Sequence, residues 1–226
     1  MISVPNAYFR FSGWMLLLSG LIITVVQFIH LEDVPASVAE LSYFVPTAVW
    51  THVALFIAVT MLLMGLPGLY LRQSKGLRWW GWLSFVMIFI VFMFDTTHAV
   101  LQIYQYPVLF DNITTEEQLK ATSDLVMKIQ MSEGWPGYYM MKLLFPVMLI
   151  ALPLMGIAML RARILSKWPA IVHLLLFALL IVPTESMMKF VFPLSFLIYA
   201  WYGWILAFES GAAAKPAAQE AVTTAV

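Results

Sequence analysis

Six apolar runs separated by short polar connections organise this chain: residues 12–30, 47–70, 79–103, 138–160, 168–183 and 186–207. Each reaches or approaches the ~20 residues an α-helix needs to cross a hydrocarbon core of ~30 Å. The pattern predicts an all-α polytopic membrane bundle, six transmembrane helices arranged as three hairpins. The fifth run is short, and a tight Pro183-Thr184-Glu185-Ser186 turn leads from it into the sixth.

Charge sorts along the same pattern. Arg72, Lys75 and Arg78 lie between runs two and three, and Arg161, Arg163 and Lys167 between runs four and five. The opposite loops carry Glu32, Asp33, Glu40, Asp111, Glu116, Glu117, Asp124 and Glu133. The positive-inside rule therefore predicts both termini in the cytoplasm, as in a multi-pass protein of a bacterial plasma (inner) membrane. Trp79, Trp80, Trp82 and Trp168 mark the inner interface; Tyr43, Trp50, Tyr104, Tyr106, Trp135, Tyr138 and Tyr139 mark the outer one.

Residues 1–208 read as the transmembrane domain, and 209–226 as a disordered cytoplasmic tail with little to bury. The one long outer loop, 105–137, holds Thr114 and Glu117 at capping-box spacing and a helical stripe of Leu119, Leu125, Val126 and Ile129. It predicts a short amphipathic helix over the outer mouth. Arg10, the apolar run from Trp14 and Ser37-Val38-Ala39 resemble a secretory signal with a cleavage site. The spacing rule described next argues that run one is retained.

Gly13-Trp14 precedes His30 by the same interval as Gly81-Trp82 precedes His98, sixteen residues from each Trp. Measured from cytoplasmic arginines, Arg10–His30, His52–Arg72 and Arg78–His98 are each 20 residues apart, and Lys142–Arg161 is 19. Twenty helical residues span about 30 Å, so His30, His52, His98 and Lys142 are expected at one depth near the outer surface. Met140-Met141-Lys142-Leu143-Leu144-Phe145-Pro146 echoes Met187-Met188-Lys189-Phe190-Val191-Phe192-Pro193, which adds Lys189 to the layer and hints at repeated hairpins. Glu185 caps the same level. Asp95 sits one turn deeper, at the i, i+3 spacing that shares a helix face with His98.

Composition limits the chemistry. Of 226 residues, 62% are hydrophobic and only 11% charged, well below the ~25% of soluble domains, so this is an integral membrane protein. Twelve basic and twelve acidic residues cancel, leaving no footprint for nucleic acid. No cysteine occurs, which excludes disulfides, thiolate nucleophiles and Cys-ligated clusters. Gly-rich phosphate loops, His-Glu-x-x-His and Gly-x-Ser-x-Gly are missing as well.

What remains is the polar layer. Imidazoles of His30, His52 and His98 converging from three helices suit zinc, copper or iron, or axial ligation of haem b. Asp95 would accept the second ring N–H of a ligating histidine or take a proton, and Glu185 would be a ligand or base. Lys142 and Lys189 would contact an anionic group of a cofactor or substrate. Pro146 and Pro193, four residues on, would free those lysines' carbonyls. His173, near cytoplasmic Trp168, reads as an interfacial residue, and the inner half of the bundle as a nearly apolar seal.

These features lead to the expectation of a metal- or haem-binding membrane enzyme, redox or hydrolytic, acting on a lipid-soluble or outer-face substrate. The alternatives are a metal-free carrier or receptor for an amphipathic ligand, and an accessory subunit of a membrane complex. In each histidine's case a plain interfacial role competes with ligation, and so does snorkelling for the lysines.

Overall fold

The structure, a computed structural model, describes residues 4–131, 133–134, 136–181, 184–185 and 187–208. Every regular element among them is helical. Helices α1 (Asn6–Ile29), α2 (Leu41–Gln73), α3 (Trp79–Leu109), α4 (Glu116–Met131), α5 (Pro136–Ala162) and α6 (Trp168–Leu180) follow in order. A π-helical turn, Met187–Val191, then leads into α7 (Phe192–Ser195) and α8 (Leu197–Phe208). The predicted tail, with Pro183 and Ser186 of the predicted turn, lies outside the described residues.

Five stretches are long and apolar enough to cross a membrane: Asn6–Ile29, Val38–Gln73, Trp79–Leu109, Gly137–Ala162 and Met187–Phe208. The expected sixth is a correction. At 13 residues, α6 extends only about 20 Å, short of the hydrocarbon thickness. The last stretch is also irregular. Pro193 cannot donate to the carbonyl of Lys189, and the wide π turn over Met187–Val191 absorbs the missing bond. Its counterpart around Lys142 stays regular α-helix, so the sequence echo between the two segments does not extend to their backbones.

The helices form a ring in chain order: α1 on α2, α2 on α3, α3 on α5, α5 on α6, and α8 closing onto both α6 and α1. The α1–α8 seam is one of close backbone approach. A β-carbon added at Gly20 would sit 2.5 Å from Ala200 N, and one at Gly13 or Gly203 would strike the partner backbone. Small residues thus let two main chains touch, the usual means of helix association where lipid removes the hydrophobic incentive. Leu16, Ile23, Leu62, Leu66, Met155 and Leu206 fill the centre.

The seal expected in the inner half is not purely apolar. Ser12, Tyr70, Gln73, Ser84 and Tyr202 are all buried there. Tyr70 OH lies 2.9 Å from Ser84 Oγ, which donates to Gly81 O at 2.7 Å. Span three does carry only that serine, but α2 and α8 bring their own polar groups to meet it.

At the histidine-bearing end, α4 forms as expected but starts on a different cap. Gln118 Oε1 accepts from the N–H groups of Thr114 and Thr115, and Gln118 N–H donates to Thr115 Oγ1. The reciprocal box is thus Thr115–Gln118, one residue beyond the expected Thr114–Glu117. Glu117 is spared, while Glu116 Oε1 accepts from Val38 N–H at 2.9 Å and ties α4 to the first loop. Leu119 and Val126 pack on Phe44, Tyr106 and Phe110 as a second small core, leaving Leu125 and Ile129 exposed.

Candidate functional site

His30 stands at the C-terminal end of α1, His52 on α2 and His98 on α3, and the structure brings their rings together. His30 and His52 ring centroids are 4.9 Å apart and those of His52 and His98 6.2 Å, both pairs edge to face. His30 Nε2 lies 3.2 Å from His52 Nε2. His52 Nδ1 lies 2.7 Å from Ala48 O, so Nδ1 holds the proton and Nε2 presents a lone pair. His30 Nε2–H therefore donates to it. Burial lowers the pKa of His30 from its ordinary value, with Asp33 acting in the opposite direction.

His98 is held differently. Its Nε2 accepts from Gln102 Nε2 at 3.0 Å, and the same amide donates to Asp33 Oδ1 at 3.0 Å. Tyr106 OH donates to Asp33 O at 2.7 Å. Gln102 is 2% exposed, and its Oε1 is buried without a hydrogen-bond partner among the described residues. His98, Gln102 and Tyr106 recur every four residues on α3, so one helix face builds this side of the cluster. Gln102, Tyr106 and Asp33 were not among the expected site residues, although Asp33 and Tyr106 mark the outer end of the bundle in the sequence. The four-residue recurrence was a visible signal, but nothing in the chain announced that Asp33 folds back onto it.

Directly beneath the histidines lies a cavity of about 340 Å³ between α1, α3, α5, α6 and α7–α8. Its walls are mostly aliphatic and aromatic; its polar members are Gln27, Asp95, His173, Ser195 and Tyr199. Gln27 precedes His30 by three residues, and Asp95 precedes His98 by three. Both therefore sit about 4.5 Å below the histidines on the same helix faces, though His30, His52 and His98 do not themselves line the cavity. Phe145, Leu149 and Met188 line its exposed mouth.

The remaining expected site residues fall elsewhere. Asp95 makes no hydrogen bond to His98 among the described residues and belongs to the cavity wall. Glu185 is exposed. Lys142 is exposed with Nζ 4.3 Å above the Tyr138 ring, and Lys189 is exposed with Nζ 6.0 Å from the Phe190 ring centroid. Neither lysine nor Glu185 lines the cavity or bonds to the histidines. His173 is packed inside the bundle. It is 6% exposed, and Nε2–H donates to Leu152 O at 2.8 Å. Gly156 permits this approach, since a β-carbon there would meet His173 Cδ2 at 3.0 Å.

Among the described residues, no group of three His, Asp, Glu or Cys side chains stands ready to hold a metal ion. His98 Nε2 is engaged by Gln102 and not by the other two imidazoles. The chain matches no protein-family model, no curated protein and no solved structure.

Proposed function

We propose that this is a multi-pass membrane enzyme whose His30 and His52 hold a transition-metal ion at the outer end of the bundle, with His98 joining when Gln102 releases it. One observation carries the reading, the 3.2 Å separation of the two Nε2 atoms. Two imidazoles on one tetrahedral ion, each at ~2.0–2.1 Å, stand roughly 3.3 Å apart. His52 already has the backbone carbonyl partner that typically orients a ligating ring. Binding requires the His30 proton to shift from Nε2 to Nδ1, a neutral tautomer exchange, and uptake falls at low pH because a protonated imidazole cannot ligate.

A bare ion of zinc, copper or iron fits this arrangement better than haem b. Axial imidazoles on opposite sides of a porphyrin stand ~4 Å apart, twice a metal–nitrogen bond, and these two rings are closer than that. Bound zinc would supply a water acidic enough for hydrolysis, whereas copper or iron would supply one-electron chemistry. The chain's own contribution is to orient His52 through Ala48 O and to hold Gln102 and Asp33 beside the ion. It also supplies an adjoining cavity for a lipid-soluble substrate.

Metal analysis and absorption spectroscopy of protein purified in mild detergent test this. The expected result is about one equivalent of metal, lost in His30→Ala and His52→Ala and weakened in His98→Ala. Metal-free wild-type protein that takes up no added zinc, copper or iron overturns it. That result favours the metal-free carrier or receptor, a reading supported by the closed His30–His52 contact and by the cavity itself.

A further inference from the structure

We infer that the cavity beneath the histidines is a binding site for a lipophilic amine, whose ammonium head pairs with Asp95 and whose apolar body fills the space among Phe145, Met148 and Phe177. The volume of about 340 Å³ lies within the ~300–1,000 Å³ of small-molecule sites, and the walls are predominantly apolar. The ligand's character follows from the polar groups. Ser195 spends its hydroxyl proton on Phe192 O at 2.6 Å, and His173 spends its Nε2 proton on Leu152 O at 2.8 Å. Each is left as an acceptor, through Ser195 Oγ and His173 Nδ1. Asp95, exposed at the cavity wall, adds two carboxylate oxygens and forms no ion pair among the described residues. Gln27 brings an amide that both donates and accepts, so acceptors still predominate and favour a head group that donates, while the carboxylate favours one that is also positive.

A second feature points to an occupant of the cavity. Tyr199 is 3% exposed and lines the cavity, yet its hydroxyl has no hydrogen-bond partner among the described residues. Buried hydroxyls nearly always have one, so a bound group or water is expected at this end. Access is lateral. Phe145, Leu149 and Met188 are exposed at the mouth, where a compound dissolved in acyl chains would enter without crossing water.

The inference deepens the reading of an adjoining cavity for a lipid-soluble substrate but does not need the metal. Radiolabelled decylamine is offered to the full chain in nanodiscs, and binding is measured by scintillation proximity against protein-free nanodiscs. Saturable binding with one site per chain is expected. Asp95→Asn should weaken it at least tenfold, and Leu149→Trp at the exposed mouth should weaken it severalfold should Asp95→Asn fail to fold. Unlabelled decanol and decanoate should compete at least tenfold less well than decylamine. His52→Ala, which abolishes the metal reading, should leave amine affinity within twofold. Decanol competing as well as decylamine, or Asp95→Asn binding as wild type does, overturns the proposal and reduces the cavity to an apolar void.

Discussion

The two sides of the ring are built on opposite plans. Along α1, α2 and α8, small residues bring backbones into contact: Gly13 and Gly20 meet Gly203 and Ala200, and Gly65 and Gly68 receive Leu16 and Ser12. Along α5, α6 and α7, the last two helices are short, α5 carries two internal prolines, a π turn precedes α7, and a cavity opens between large side chains. Close packing fixes the first side as a frame. The second gives up van der Waals contact, while the buried polar atoms without a partner among the described residues lie on α1, α2, α3 and α8. The histidine cluster spans the boundary, with His30 and His52 on the framed side and His98 on the helix shared by both.

The sharpest way to break this contrast is to overpack the frame. Gly203→Leu, whose side chain would collide with the α1 backbone, should cost roughly 3 kcal/mol or more and abolish the folded monodisperse species in detergent gel filtration. Leu149→Trp on the open side should leave the same elution profile unchanged. Next in size is His52→Ala, which removes a buried ring bonded to both His30 and Ala48 O; a loss of about 2 kcal/mol should appear in detergent thermal unfolding.

Acidification gives a smaller effect. The folded pKa of His30 is depressed, so the unfolded chain binds that proton first. Its contribution is complete above the unfolded value of about 6.5 and is lost as pH falls through that value toward the folded one. A melting temperature that declines below pH 6.5 in wild type, and declines less in His30→Gln, is the expected pattern. Smallest are Lys142→Ala and Glu185→Ala, each expected to change stability by less than about 0.5 kcal/mol and to leave metal content unaltered. A large effect from either would return these residues to the site.

Hydropathy and charge made the spans legible to within several residues, because length and composition alone decide whether a helix crosses hydrocarbon. Counting from arginine to histidine correctly placed His30, His52 and His98 together, since a rigid rise per residue converts sequence distance into depth. Depth was not enough for the others. Lys142 was expected at the level of the histidines, but its side chain runs along Tyr138 at the exposed surface. His173 was given its height but not its neighbours, and only the Gly156 gap explains how it comes to be buried. Rotation about a helix axis depends on which partner packs where, and apolar runs without a strong polar face leave it undetermined. Asp33, from a connecting loop, depended on the whole of α3 being in place.

The sideways entrance has a thermodynamic corollary. A guest arriving through the lipid equilibrates with the membrane phase, so occupancy tracks moles of compound per mole of phospholipid instead of its level in buffer. Diluting the sample with more vesicles at constant total guest should empty the chamber, even though nothing in the surrounding solution has been changed.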